Sequence, residues 1–476
     1  MVGGGISGLA AAHRCLERAP SLPFPVEVTV FESSDRLGGS VGTSTETTPE
    51  GPLLVEWGAD AFITEKPWAL DLARRLGLSS TLIAPREGAG LRRALVVRDG
   101  RLLDVPEGFL LLGPTRARPI LRSPLFSPAG KIRMALDLVL PRGGSADESI
   151  GAFVRRRLGR ECYERLAQPL VSAIYGGDPD RLSLRATLPQ FAALERRHGS
   201  VIRGLRAAER ERSGGTSGAR YGLFATFESG MRTLVDALAS RIGAGRIRFS
   251  SPAKALRQGA SPDARWELTL GSGERFPADA VIVALPVRRA EGLVREADAG
   301  LADGLSRIPT RPSAIVTLAW RREEIPHPLD AFGLVAPRTE GRRILAASFS
   351  SVKFPGRAPE GAALVRAFIG DGGQPDPVGA SDAALIEAVR EEIGELIGAR
   401  GTPLHASVHR HPQGTPQYEP GHEGRVAAIR EAASRHAGLA LAGNYFTGVG
   451  VPDSVRSAEA AADGILESVL REGSHR

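Results

Sequence analysis

The chain has 476 residues, 42% hydrophobic and 24% charged, which suits two or three globular domains. Two cysteines, Cys15 and Cys162, exclude a disulfide framework and a cysteine metal site, and no run of about 18 uncharged apolar residues or signal-peptide pattern is present; the expected setting is a reducing cytoplasm. The formal charge of +7, carried by arginine, suits acidic small molecules or an anionic lipid surface, whereas an aromatic content of 5%, with none interleaved in the basic stretches, argues against nucleic acid.

In chain order, the first element is a glycine turn. Gly3, Gly5 and Gly8 form GxGxxG, and the apolar spacing from Ile6 through Leu9, Ala12 and Leu16 predicts a helix starting inside that turn. After a break at Pro20, Pro23 and Pro25, the run Val26 to Phe31 predicts a strand ending in Glu32. Glycines let backbone approach a pyrophosphate, and the helix start, at Ile6 and Ser7, offers unpaired N–H groups and partial positive charge. An acidic residue at the end of the second strand accepts hydrogen bonds from ribose hydroxyls, with Ser33 beside it. Together these elements predict dinucleotide binding. Such a fold opens with a buried strand, yet only Met1 and Val2 precede Gly3. The expectation is an upstream in-frame start, with Val2 ending a Val/Ile-rich strand.

Beyond Glu32 the chain makes an Arg36-x-Gly38-Gly39 turn, then Val55 to Phe62, which includes Gly58, Ala59 and Asp60. From Leu102 to Arg220 the pattern is helical with basic punctuation, as in Lys131 to Leu140 and Ile150 to Leu166, and Ser213 to Gly218 reads as a loop. An exposed amphipathic face here would touch a membrane. Gly230-Met231 starts a helix leading to the strand Ile247 to Phe249. A hairpin at Gly271 to Gly273 precedes the buried strand Ala278 to Pro286. The strands Ala314 to Trp320, Ile344 to Ser350 and Ala362 to Ile369, with a helix from Ala383 to Ile397, predict a separate antiparallel sheet. Leu439 to Asn444 is a strand ending in Gly443, followed by Gly448, Gly450, Val451 and a helix from Pro452 to about Leu470, whose N-terminus would favour negative charge.

The Glu32 to Gly39 segment resembles the extended FAD fingerprint of glutathione-reductase-like flavoproteins, which include amine oxidases, phytoene desaturases and protoporphyrinogen oxidases. Four further motifs resemble the protoporphyrinogen oxidases: Pro169 to Pro179 with Leu182 to Leu184, Thr415 to Tyr418 with Gly421-His422, Gly443 to Asp453, and Val55 to Phe62. The likeness spans nearly the whole chain. It implies an α/β Rossmann-like FAD domain with an α+β substrate domain and a helical insertion. The expected division is FAD domain 1–90, substrate hairpin 91–104, helical insertion 105–220, FAD domain 221–295, substrate domain 296–425 and FAD domain 426–476.

The resemblance implies non-covalent FAD held by Gly3, Gly5, Ile6, Ser7, Gly8, Glu32, Ser33, Arg36, Gly38, Gly39, Gly58, Ala59, Asp60, Ala253 (through its backbone, at the adenine), Gly443, Asn444, Gly448, Gly450 and Val451. It implies oxidation of protoporphyrinogen IX by hydride transfer to the flavin, reoxidation by molecular oxygen, and a ferrochelatase as downstream partner. No side chain is expected to be catalytic, because the cofactor supplies the electron sink, and no metal is expected. The expected slot residues are Ala173, Leu334 and Phe349. A propionate arginine falls on the strand before Asp99-Gly100; the family spacing lands on Ala94, and Arg93, one residue earlier, is the candidate. The resemblance leaves open coproporphyrinogen III as substrate, a flavin amine oxidase or carotenoid desaturase activity, and a non-catalytic FAD or porphyrin carrier. Localisation is expected in the cytoplasm, with the inner face of the cell membrane as the surface touched.

Overall fold

Val30–Phe31, Ile247–Arg248, Val281–Val283 and Leu439–Leu441 are each too short to make a sheet alone, and most of their residues are buried, as a parallel sheet covered on both faces requires. A computed structural model, which describes residues 1–87, 93–144, 146–211, 224–259, 264–370 and 378–473, pairs them with one another. The loop expected at Ser213 to Gly218 lies outside the described residues.

The first strands are β1 (Val30–Phe31), the hairpin β2 (Thr43–Thr48) and β3 (Gly51–Glu56), and the hairpin β4 (Leu95–Arg98) and β5 (Arg101–Asp104). They are followed by β6 (Ile247–Arg248), the meander β7 (Ala253–Gln258), β8 (Trp266–Leu270) and β9 (Arg275–Ala278), and β10 (Val281–Val283). The last are β11 (Thr310–Arg321), β12 (Gly333–Val335), β13 (Ile344–Phe349), β14 (Ala362–Ile369), β15 (His405–Pro416) and β16 (Leu439–Leu441). The helices used below are α1 (Ile6–Arg18), α2 (Ala117–Arg122), α3 (Pro128–Ala135), α4 (Ile150–Leu158), α5 (Gln168–Tyr175), α6 (Asp382–Ile397) and α7 (Val451–Gly473).

β1 pairs parallel with β6, and β10 with β16. Val2 joins the two pairs: its N–H donates to the Ile282 carbonyl at 2.9 Å, and its carbonyl accepts from Ala284 N–H at 2.8 Å. The spatial order is therefore β6, β1, Val2, β10, β16, drawn from three distant parts of the chain. α1 covers one face, where Leu9, Ala10, Ala11 and Ala12 are fully buried with residues of α7.

The second sheet has the order β15, β11, β14, β13, β12, β4, β5. All of its pairs are antiparallel except β12 with β4. Alternation gives it two unlike faces. Leu95, Val316, Leu334, Ala347, Phe349 and Val365 pack beneath α6, against Leu385, Val389 and Ile393. On the reverse face Val96, Val335 and Ala346 pack against the helical insertion, with Phe368 at the edge. Further along that face Ala319 and Leu364 meet Leu53 and Val55 of β3.

α6 is framed by the Ser381 hydroxyl, which accepts from Ala384 N–H at 3.3 Å, and by left-handed Gly398. The single helix expected from Ile150 to Leu166 is interrupted at Gly159, whose φ of +93° ends α4. β15, absent from the sequence expectations, forms one edge of the second sheet.

Candidate functional site

The glycine turn has a distinct reason at each position. A Cβ on Gly8 would lie 1.8 Å from the Gly3 carbonyl oxygen, so Gly8 is required for α1 to approach the turn. A Cβ on Gly5 would meet nothing within 4 Å, so bare backbone there faces open space. Gly5 caps α1 without a side-chain hydrogen bond, leaving the N–H groups around Ile6 and Ser7 for a ligand. Glu32, buried at the end of β1, accepts Gly4 N–H at 2.8 Å on one oxygen. Its other oxygen takes Ser34 N–H at 2.8 Å and the Ser33 hydroxyl at 3.2 Å. These groups fit the ADP half of FAD.

The turn after Glu32 folds back on the first one, Gly38 N–H donating to the Gly4 carbonyl at 2.9 Å. Gly38 and Gly39 have φ of +101° and +58°, conformations that cost a non-glycine residue strain. Arg36 donates to the Gly39 carbonyl at 2.8 Å and lies 4.8 Å from the centre of the Trp57 ring. Ala253 begins β7; the chain meets Glu32 slightly earlier, where Ser251 N–H donates to the Glu32 carbonyl at 2.8 Å.

Gly58 is also forced by packing, since a Cβ there would lie 1.9 Å from the Ser40 carbonyl oxygen. Its carbonyl accepts Arg366 Nη2 at 2.5 Å. Next to Ala59, Asp60 pairs with Lys353 at 3.0 Å and Arg366 at 3.4 Å. Burial alone would raise the Asp60 carboxyl, but Lys353 and Arg366 outweigh it and hold it at about 2. At the other end of the site, Gly448 has φ of +91°, and a Cβ there would lie 2.2 Å from the Asp453 carboxyl carbon. Gly443 N–H donates to Ser457 Oγ at 3.1 Å. Gly450 directly precedes α7, which Val451 opens. Asp453, 4% exposed in its first turn, pairs with Lys66 at 2.6 Å.

The Thr415 to Tyr418 motif has a positioning role that its spacing did not reveal. Tyr418 donates its hydroxyl to the Asn444 carbonyl, and its own carbonyl accepts Ser183 N–H at 2.7 Å. Gln417 donates to the Tyr175 carbonyl at 3.2 Å. The motif thereby ties the 175–183 segment to the 444 loop. His422 stacks on Tyr418 at 4.1 Å with Nε2 3.0 Å from the Phe446 carbonyl, and burial pushes its imidazole down to about 4.

Where the second sheet meets the insertion, Ala173 of α5 is half-buried beside the same cluster as Phe368. Leu334 and Phe349 lie on the opposite face of that sheet. Leu334 pairs with Leu95 and Ala347, Phe349 with Val365, and all five side chains lie in the core beneath α6. A strand flips side chains at every residue, so the neighbours Val335 and Ala346 occupy the face toward the insertion. Arg93 follows the same alternation: Leu95, two residues on, faces α6, whereas Val96 takes the other face. Its guanidinium is moreover held by Asp104 at 2.9 Å and by Asp330, so its charge is already matched.

Among the described residues no helix is long and apolar enough to cross a membrane, and no cluster of His, Cys, Asp and Glu could hold a metal. The profile of the family described as flavin containing amine oxidoreductase matches residues 6–466. The coproporphyrinogen III oxidase of Bacillus subtilis (strain 168) is 33% identical over 469 residues, covering 98% of this chain and 97% of that protein. The coproporphyrinogen III oxidase of Propionibacterium freudenreichii subsp. freudenreichii is 36% identical over 505 residues, covering 99% and 91%. A solved structure from Exiguobacterium sp. 255-15, provisionally named a protoporphyrinogen oxidase, superimposes with a TM-score of 0.84 at 29% identity, over 98% of both chains. The glycine turns, the braced Glu32 and this full-length match together make the chain a member of the flavin-containing amine oxidoreductase family, with FAD as its cofactor.

Proposed function

We propose that this chain oxidises a porphyrinogen, with coproporphyrinogen III as the preferred substrate. The observation that carries this reading is the full-length likeness to two coproporphyrinogen III oxidases; the sheet face it points to is the seam with the insertion, where Val335, Ala346 and Phe368 share a cluster with Ala173. It is apolar and belongs to the same face whose far end meets the Gly58–Asp60 segment through Arg366. A flat apolar macrocycle suits such a wall. FAD, when bound, supplies the acceptor for the hydride. The chain's own work is to hold, orient and exclude water: the glycine turn and Glu32 hold the ADP half, and α7 points its partly positive N-terminus at the opposite end of the site.

The names of the Bacillus and Propionibacterium relatives support coproporphyrinogen III. The motif resemblance and the Exiguobacterium structure support protoporphyrinogen IX as the second reading. An amine substrate is less well served, because Tyr445 and Phe446 are buried in the core and cannot form an aromatic cage. The test is anaerobic mixing with each porphyrinogen. Bleaching of the flavin absorbance, faster with coproporphyrinogen III, is expected; unchanged absorbance with both would replace the enzyme by a carrier.

The helical insertion also exposes Leu121 (65%), Ile132 (66%) and Val139 (74%), with Arg118, Arg122 and Lys131 around them. This arrangement supports contact with an anionic membrane surface.

A further inference from the structure

The Gly58–Asp60 segment rests on buried charge that neither folding nor the reading above requires. Asp60 receives two cations, Lys353 at 3.0 Å and Arg366 at 3.4 Å, and Lys353 and Arg366 are 13% and 1% exposed. The next pair is balanced: Arg357, 1% exposed, stands 4.0 Å from Glu56. His409 and His411, also facing Arg366, are neutral at physiological pH, because burial lowers both. One positive charge is therefore left over in a place where burying unmatched charge is costly. Hydrogen bonds take up only part of it, Lys353 donating to Asp60 at 3.0 Å and Arg366 Nη2 to the Gly58 carbonyl at 2.5 Å. Arg366 Nε has no hydrogen-bond acceptor and Nη1 has only the ion-pair contact with Asp60, while Thr317 Oγ1 and Ser348 Oγ have no hydrogen-bond partner. Thr317 and Ser348 are the cross-strand neighbours of Arg366 on β11 and β13. A chain that needed only to fix Gly58 in place could do so with a neutral donor.

We propose that Lys353 and Arg366, sharing Asp60, are an electrostatic positioning element whose surplus positive charge strengthens bound FAD as a hydride acceptor. This rests on FAD lying along the Gly58–Asp60 segment. Reduction places negative charge on the flavin, and a fixed cation nearby favours the reduced form without any group having to reorganise. A unit charge within about 10 Å, through an effective dielectric of about 20, shifts such an equilibrium roughly tenfold. The two partners of the pair must then act with opposite sign. Removing the lysine removes positive charge, whereas removing the carboxylate uncovers it.

The experiment uses purified FAD-loaded protein, sulfite as the probe of electron deficiency at the flavin, and dye-equilibrated reduction for the potential. Lys353→Met keeps the length and apolar stem of the side chain and removes the ammonium, which lies 5.0 Å from the centre of the Phe354 ring. It is expected to weaken sulfite binding about tenfold and lower the two-electron potential by about 30 mV, the equivalent of that factor. Lys353→Arg should restore both values. Asp60→Asn should shift both the other way. Shifts of the same sign in Lys353→Met and Asp60→Asn, or no shift in either with full FAD content, would overturn the proposal. The porphyrinogen reading stands or falls separately on the anaerobic bleaching of the wild-type protein.

Discussion

At the scale of single residues, the site is a set of close approaches that only glycine permits and of charges that need named partners. Gly8→Ala would drive a methyl group onto the Gly3 carbonyl, backbone against backbone, which neither side can yield. A loss of about 1–3 kcal/mol, as for other overpacked sites, is expected together with loss of FAD. Thermal unfolding and the ratio of flavin to protein absorbance after gel filtration check both. The two cysteines are buried in apolar cores, Cys15 on the inner side of α1 and Cys162 in the insertion, so neither is placed to link a flavin covalently. Acid denaturation should therefore release free FAD into the supernatant, and colour left on the precipitated chain would contradict this. The GxGxxG spacing and Glu32 were legible in the sequence because a phosphate-binding turn uses backbone, and backbone geometry is written in glycine positions. The Asp60–Lys353–Arg366 cluster was not legible: its members are 293 and 306 residues apart and share no local pattern.

At the scale of elements, the second sheet decides which side chains face the insertion and which face α6. Phe349→Ala should cost about 3–5 kcal/mol, because it opens a cavity beneath α6, and should leave KM unchanged. Phe368→Ala, on the opposite face, should raise KM for porphyrinogen with little change in stability. Denaturant titration alongside steady-state kinetics separates the two, and a KM effect from Phe349→Ala would reverse the assignment of faces. Strands β11, β13 and β14 were legible as β-branched and apolar runs. The facing of their neighbour β12 was not, since Leu334 and Val335 are equally apolar and only pairing with β4 and β13 fixes which one looks at the insertion. β15 escaped because its sequence, HASVHRHPQGTP, is polar and carries two prolines; its place at the edge, paired only with β11, tolerates both.

At the scale of the whole molecule, acid should loosen the protein from its histidines first. Burial pushes His409 and His422 down to about 4 from an ordinary 6.5, so protons bind the unfolded chain in preference. Their contribution is complete above pH 6.5 and is lost as pH falls below it. The denaturation midpoint should decline between pH 6.5 and 5, above the range of ordinary carboxylates, and the slope should flatten in His409→Gln/His422→Gln. A flat wild-type profile in that window would refute the assignment. The exposed face of the insertion gives a further expectation. Replacing Leu121, Ile132 and Val139 by serine should abolish co-sedimentation with anionic vesicles without altering flavin content, and undiminished co-sedimentation would remove the membrane contact.

The sequence by itself determined that this protein binds FAD and that strands from distant parts of the chain must meet to do so. Dinucleotide recognition is built from short contiguous devices, a glycine turn, a helix start and an acid at a strand end, whose spacing survives in one dimension. Tertiary structure alone decided which face of the second sheet meets the insertion and which cations gather on Asp60. Both depend on strand register and on long-range packing, and a shift of one residue in register reverses every side chain while leaving composition and hydropathy unchanged.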